Sequence, residues 1–595
     1  MIRIPLRPLP RVLQARAQGE NPLHIERENL RLRHEQMRDQ ARRRAEWRLI
    51  FLAAFFFMGF ALIGARMGLL AASPPHEAAA FQGEDIAAFR AEIQDRNGRI
   101  LATNLVTNSL YAELRYMVDG ARAAQELARI LPEVDADRLA ARLTDPNRRF
   151  VWIRARLSPE QVQAVHEIGE PGLLFGPREM RLYPNGHLAA HVLGGTSYGQ
   201  QGVSAAEIIG TAGIEHRLDE QLRDPATADA PLRLSLDVTA QAIAAEVLDS
   251  GINMLGARAG SVIIMDAHSG EVVTMVSLPD FDPNNRPAPP TEGDPTDSPL
   301  FNHAVQGVYE LGSVMKAFAV AQALELELVT TETMVDTRGP LRIGRHSIND
   351  FRNYGAQLSV SDVFVRSSNI GTARLAQQIG AERQREFLRS FGFLEPATIE
   401  LAETARARPQ FPDRWSEISS VTISYGHGLS TSPLQLAAGY ATLVNGGTRV
   451  VPTMLRRTAH VPGERLISER TSATMRSLMR QVVTRGTASM AEVEGFAFGG
   501  KTGTADKPDA RGGYARDRVI ATFAGAFPMN DPRYVVVVTL DEPNETSSGE
   551  ARRTAGWTVV PVAAEIVRRT APLLGVRPQS NAESTAAIEA ALRLR

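Results

Sequence analysis

The chain has 595 residues, 44% of them apolar and 22% charged, with 66 basic against 67 acidic side chains. That length predicts several folded domains, and the even charge balance gives no basis for a nucleic-acid partner. There is no cysteine, which excludes disulfides, thiol catalysis and cysteine-ligated zinc.

Residues 1–48 are Arg-rich and end in Arg42-Arg43-Arg44-Ala-Glu-Trp-Arg48. Leu49 to Ala65 is then uncharged and apolar, Arg66 interrupts, and Met67 to Ala72 continues the run. A membrane-spanning helix needs roughly 20 apolar residues, and an Arg near its end reaches back to the interface. A cleaved signal peptide is the competing reading, since Leu70-Ala-Ala-Ser73 is rich in small residues, but so long a basic leader does not suit one. The sequence therefore predicts one uncleaved transmembrane anchor over 49–72. The cationic flank places 1–48 in the cytoplasm as a tail and the rest of the chain outside.

After the Pro74-Pro75 linker, residues 80–230 read as a mixed α/β region. Glu92 to Ala102 reads as strand, Asn97-Gly98 turn and strand, and helical periodicity follows over 120–131 and 136–143. His187 and His191 are four apart, yet no Glu stands between them in a zinc-protease pattern, so structural or surface roles are favoured. The Gly194 to Gly199 segment lacks the Gly-Lys-Ser/Thr ending of a phosphate loop.

A second folded unit, 231–576, opens with a strand at 232–237 and a helix at 241–248. Ser261 to Asp266 and Glu271 to Val276 flank a Ser269-Gly270 turn and form a hairpin, and the Pro-rich stretch 279–299 is a loop. Then comes Tyr309-Glu-Leu-Gly-Ser-Val-Met-Lys316. Gly312 is a breaker, and Ser313 behind it reads as the start of a helix. Residues i and i+3 share a helix face, so Ser313 and Lys316 are neighbours. A serine hydroxyl becomes a competent nucleophile when an adjacent base takes its proton, and a desolvated lysine can be that base.

Composition strengthens this otherwise weak pattern. Lys316, Lys501 and Lys507 are the only lysines, and every other basic residue is Arg. Arg cannot give up its proton in a protein, whereas a buried Lys can become neutral. Residues 373–391 and 434–444 read as helical, the latter opened by Ser432 as cap and Pro433 at the first helical position. Ile520 to Phe527 and Tyr534 to Leu540 read as strands, and the glycines beside Lys501 let a substrate backbone approach closely. Residues 577–595 read as a tail with one short helix.

Three short patterns stand in order: Ser313-x-x-Lys316, Ser367-x-Asn369 and Lys501-Thr502-Gly503, with about 50 and then about 130 residues between them. In that order they resemble the active-site motifs of the penicillin-binding proteins and serine β-lactamases. Arg90 to Gly98, Arg181-Leu-Tyr-Pro-Asn-Gly186 and Gly213-Ile-Glu215 are similar to the non-catalytic pedestal of class B penicillin-binding proteins. Turns and salt bridges account for most of these pedestal residues. Ser424 to Pro433 resembles a family segment near the substrate cleft. Tyr309-Glu-Leu-Gly-Ser313 and Ser277 to Asn284 look most like the septal, penicillin-binding protein 3 type.

The resemblance implies an α/β multidomain protein: transmembrane helix, mixed α/β pedestal of dimerisation-domain type, then a transpeptidase domain with a helical subdomain inserted in an antiparallel sheet. It implies a peptidoglycan D,D-transpeptidase that takes a D-Ala-D-Ala donor, forms an acyl-enzyme on Ser313, passes it to an amine on a neighbouring strand, and is blocked by β-lactams. Lys316 is implied as the base, Ser367 as proton relay, Asn369 as orienter and Lys501 as a source of positive potential. Thr502, Gly503 and Thr504 are implied as substrate-binding, and the backbone amides of Ser313 and Thr504 as the oxyanion hole. No metal or cofactor is implied. The implied setting is the bacterial inner membrane at the septum, with a membrane glycosyltransferase and other division proteins as partners. An elongation-type transpeptidase is the alternative. A β-lactam sensor or idle scaffold is another, but a sensor needs a cytoplasmic signalling domain and 48 Arg-rich residues are too few.

Overall fold

The structure, a computed structural model, describes residues 9–72, 90–201, 206–227, 230–459, 462–509, 512–547 and 549–593. The Pro74-Pro75 linker and the small-residue site at Ser73 lie outside the described residues. The chain divides into two compact units, with the boundary after Asp85.

The first unit consists of helices Leu9–Ala17 and Leu23–Ala72. The second runs unbroken for 50 residues, so the expected anchor is the end of a longer helix that also takes in much of the Arg-rich stretch. Within it, the 22 residues Glu46–Met67 are long and apolar enough to cross a membrane, and none of that stretch is buried against protein.

The second unit starts with the pedestal. Strand Ile93–Gln94 turns back through Asp95-Arg96-Asn97-Gly98 into the long strand Ile100–Glu113, which also pairs with Phe150–Leu157 and Leu173–Leu182. Helices Gly120–Ile130, Ala136–Leu143 and Pro159–Glu167 cover this sheet through Leu110, Leu127, Leu139, Val151 and Val165. Each helix is opened by the residue type expected at its N-terminus: Asp119, Asp135 and Ser158 accept the N–H three residues on.

Three of the resemblance-marked residues meet in a fully buried ion cluster. Glu215 accepts from Arg90 Nε at 2.6 Å and Arg181 Nε at 2.7 Å, while Arg90 also reaches Asp219 at 2.7 Å. Asp95 has a different task. Its Oδ1 accepts from Asn97 N and Arg99 N to shape the turn, and its Oδ2 accepts from Val238 N, at the start of the next domain's first helix. Ile93–Gln94 also pairs in parallel with Leu232–Arg233, so pedestal and catalytic domain share a sheet edge.

The catalytic domain is built on an antiparallel sheet in the order Gly499–Pro508, Tyr514–Phe527, Tyr534–Asp541, Ala259–Asp266, Val272–Leu278. Its central strand reads Tyr-Val-Val-Val-Val-Thr-Leu without alternation because both faces are covered. Helices Val238–Leu255 and Val559–Thr570 pack on one side and Pro433–Val444 on the other. The chain between sheet halves is mainly helical. The helical stretch read over 373–391 is two helices, Asn369–Ile379 and Ala381–Ser390, broken at Gly380. The C-terminal tail is docked: helix Asn581–Arg593 packs on Glu469–Arg485 and buries Ile588.

Candidate active site

Gly499–Pro508 is an edge strand, paired only with Tyr514–Phe527, and its open edge faces the helical insertion. Against that edge lies Gly312–Met315, a 3₁₀ turn that runs directly into helix Lys316–Glu325. This corrects the expected role of Ser313 as a helix cap: neither the turn nor the helix has a side-chain cap hydrogen bond. The correction tightens the geometry, because residues i and i+3 eclipse in a 3₁₀ turn and Ser313 and Lys316 stay on one face. Ser313 is partly exposed while Lys316 is completely buried.

Three contacts fix the serine turn. A Cβ at Gly503 would lie 2.2 Å from Leu311 O, so only glycine lets the edge strand come this close. The glycine expected to admit a substrate backbone here admits the chain's own serine turn. On the other side Gly426, with φ of +96°, brings its carbonyl to Gly312 N at 3.2 Å, and a Cβ there would be 1.8 Å from Gly312 O. From below, Tyr440 Oη donates to Val314 O at 2.9 Å. Phe318 anchors the helix that follows, edge-on to Phe391, Phe393 and Tyr440.

Behind the serine the second motif comes into place. Lys316 Nζ donates to Ser367 O at 2.6 Å and Asn369 Oδ1 at 2.7 Å and lies 3.1 Å from Ser367 Oγ. Lys501 Nζ reaches the same Ser367 Oγ at 2.9 Å and Thr502 O at 3.2 Å. Both lysines are fully buried. Burial, then the neighbouring Lys501 charge, holds the Lys316 amine well below the ordinary lysine range, with Asp350 pulling weakly the other way. Burial pushes Lys501 down to about 7. Ser367 O and Asn369 Oδ1 can only accept and so take two N–H groups of Lys316, while the Ser367 hydroxyl at the third position can either accept from an ammonium or donate to a neutral amine.

Ser367 holds its position at a cost, with φ of +63°, a left-handed backbone rare for a residue with a Cβ. Its neighbours hold it there. Asp350, which belongs to no motif, accepts from Ser368 Oγ at 2.8 Å, Asn369 N at 2.6 Å and Ile370 N at 3.0 Å. It thus places a carboxylate at the positive end of helix Asn369–Ile379. Asn369 Nδ2 donates to Asn349 O at 3.0 Å, which leaves Oδ1 as the acceptor facing Lys316.

The threonines of the third motif are already partnered. Thr502 Oγ1 lies 2.7 Å from Thr487 Oγ1, and Thr504 Oγ1 accepts from Ala555 N at 3.0 Å. Thr504 keeps its own O–H to donate. The structure thus gathers Ser313, Lys316, Ser367, Asn369, Lys501, Gly503 and Thr504 around one cleft edge, with Thr502 turned toward Thr487. His187 and His191 lie elsewhere, bonded to Asp280 Oδ1 at 3.1 Å and Pro279 O at 3.2 Å.

Two buried lysines behind two partly exposed serines, beside an edge strand, are the equipment of a serine acyl transferase. Residues 260–566 match the penicillin binding protein transpeptidase domain, and residues 85–226 the penicillin-binding protein dimerisation domain. The chain belongs to the penicillin-binding transpeptidase family, in the form that carries a dimerisation domain ahead of the catalytic one. It is 34% identical over 584 residues to the probable peptidoglycan D,D-transpeptidase FtsI of Caulobacter vibrioides, covering 94% of this chain and 96% of the relative. To the FtsI of Escherichia coli it is 28% identical over 525 residues, 84% of this chain and 87% of the relative. The crystal structure of penicillin binding protein 3 from Mycobacterium tuberculosis with aztreonam superposes with a TM-score of 0.62 at 26% identity, over 83% of this chain and 97% of that one. Within the family these similarities put it with the class B, penicillin-binding protein 3 type.

Proposed function

We propose that the chain is a peptidoglycan D,D-transpeptidase that cross-links stem peptides during septal wall synthesis. The observation that carries the mechanism is the shared hydroxyl: Lys316 Nζ and Lys501 Nζ both sit on Ser367 Oγ, with Ser313 one turn ahead of Lys316. Neutral Lys316 takes the Ser313 proton as Oγ attacks the penultimate D-Ala carbonyl. Ser367 passes a proton to the departing D-Ala nitrogen, and Lys501 supplies the charge that favours its release. Asn369 keeps Lys316 aimed. The Ser313 and Thr504 amides receive the oxyanion, where preorganised donors contribute most in acyl transfer. The Thr504 hydroxyl and the Lys501 field meet the substrate's terminal carboxylate, Gly503 gives the strand its close fit, and Thr502 serves the carboxylate through its link to Thr487.

An amine from a neighbouring strand then releases the acyl group. β-Lactams, as mimics of the donor, acylate the same serine. The apolar stretch Glu46–Met67 anchors the protein in the inner membrane, with its Arg-rich start cytoplasmic and its catalytic domain periplasmic. A membrane glycosyltransferase and other division proteins are its proposed partners. The FtsI relatives favour the septal role over elongation, and the intact relay favours an enzyme over a scaffold. Labelled penicillin should attach to Ser313, read by peptide mapping. Label on Ser367, or none on folded protein, overturns the assignment.

A further inference from the structure

The relay above accounts for acylation, yet the second half of a transpeptidation needs a proton acceptor too. The acceptor amine arrives as an ammonium ion and must lose a proton before its nitrogen can attack. Lys316 and Lys501 lie behind the serine, committed to Ser367, Asn369 and Thr502. Across the serine turn stands a second pair of titratable groups that the relay leaves unused.

Glu310 is on the short strand Tyr309–Glu310, which leads into the serine turn and pairs with Ser430–Thr431. Its Oε1 accepts from Gly428 N at 2.7 Å and from Tyr514 Oη at 3.0 Å. Among the described residues its Oε2 is buried with no partner, and so is Nδ1 of His427. His427 follows Gly426, whose backbone touches Gly312. Its ring is held between Tyr425, 5.5 Å away, and Tyr514, 5.8 Å away and edge-on. Nδ1 is thus the buried nitrogen, while Nε2 has no hydrogen bond and is the one open to solvent. Glu310 and His427 are not hydrogen-bonded to each other, but both contact Tyr514, and a buried carboxylate beside an imidazole whose other nitrogen is open favours proton uptake at that nitrogen.

We propose that His427, held between Tyr425 and Tyr514 with the Glu310 charge beside it, is the base that deprotonates the acceptor amine in the transfer step, a role that rests on the transpeptidase reading above. The ammonium gives one proton to His427 Nε2, and the freed amine attacks the acyl carbonyl to form the C–N bond. The second N–H proton passes through Ser367 and Lys316 to Ser313 Oγ as the C–O bond breaks. His427 then returns its proton to solvent. Burial keeps the imidazole neutral, as does the charge on Lys316 whenever that amine holds a proton, while Glu310 and Asp506 favour its charged form; the net shift is downward. Among the described residues Tyr425 and Tyr514 are the remaining titratable groups against it, and burial raises both still further above the ordinary tyrosine value, so they stay protonated at neutral pH. The imidazole is therefore in its accepting form at neutral pH.

The test uses the full-length protein in detergent, an N-acyl-D-alanyl thioester as donor and D-alanine as acceptor amine, with aminolysis and hydrolysis followed together across pH. General bases contribute about a hundredfold or more, so His427→Gln should lower the aminolysis-to-hydrolysis ratio about a hundredfold and remove its acid limb. Glu310→Gln keeps an oxygen for Gly428 and Tyr514 but removes the charge that favours imidazolium, so the acid limb should move to lower pH. A His427→Gln ratio and limb like the parent's overturn the proposal. So does an equal loss of penicillin labelling and aminolysis, which marks the residue as structural. If His427→Gln does not fold, an unmoved limb in Glu310→Gln overturns it alone. Parent protein that takes no penicillin on Ser313 instead refutes the acyl-transfer reading beneath it.

Discussion

Replacing each lysine by arginine separates charge from the capacity to lose it. Contacts of 3.1 and 2.9 Å to one oxygen leave the Lys316 and Lys501 nitrogens no more than 6.0 Å apart. At about 6 Å and an effective dielectric constant near 20, two full charges repel by about 3 kcal/mol, or about two pK units. Burial depresses both amines, and Lys316, beside the serine, also feels the Lys501 charge. Lys316→Arg makes the charge permanent, adds the repulsion and removes the base; loss of a general base costs about a hundred- to ten-thousand-fold. Lys501→Arg keeps a charge that Lys501 is proposed to supply, so its loss should be smaller. Lys507 bonds Asp541 at 2.7 Å and Glu542 at 2.8 Å on a part-exposed edge, where a guanidinium serves as well, and its exchange should change the rate less than twofold. The assay is the second-order acylation rate of each purified, folded variant with a β-lactam. Lys316→Arg acylating near the parent rate would show that the base lies elsewhere.

Other predictions follow from single contacts. Lys501→Met removes a charge from beside Lys316, so the acid limb of the acylation pH profile should move up by about two units; an unmoved limb refutes the coupling. Gly503→Ala drives a methyl toward Leu311 O, 2.2 Å from the ideal Cβ, and should slow acylation about a hundredfold while circular dichroism is unchanged. Glu215→Gln leaves the buried Arg181 guanidinium without a carboxylate and Arg90 with Asp219 alone, and should cost about 3–5 kcal/mol, seen as a lowered thermal midpoint of the pedestal; a loss under about 1 kcal/mol would mean the cluster is not the pedestal's keystone. The apolar stretch Glu46–Met67 should keep the protein in membranes through salt washes and release it to detergent, with the N-terminus intact by sequencing.

The acyl-transfer residues were legible because their chemistry constrains residue type: Ser and Lys three apart, and lysine kept in a chain that otherwise uses Arg. Backbone facts were not legible in the same way. Nothing about Ser367 as a letter announces a left-handed φ, and Asp350 reaches the site only because the loop before it folds back over helix Asn369–Ile379. Ser313 follows a glycine, which usually signals a cap, yet tertiary contacts from Gly426, Gly503 and Tyr440 hold the turn that caps would otherwise stabilise. Glu310 and His427 sit inside segments that the resemblance did mark, but their pairing depends on the approach of Gly426 to Gly312, which a linear reading does not contain.

The Asp95 turn has a mechanical consequence. One carboxylate shapes the pedestal's hairpin and accepts the first N–H of the first catalytic helix, which Asp237 caps, while Arg96 N donates to Leu236 O at 2.9 Å and Asn97 Nδ2 to Asp237 Oδ2 at 3.0 Å. Such a joint resists bending, because any hinge motion there strips several hydrogen bonds at once. A force applied at the pedestal's far end would arrive at Val238–Leu255 as torque instead of being lost in a flexible neck, and from there load the sheet whose last strand carries Lys501.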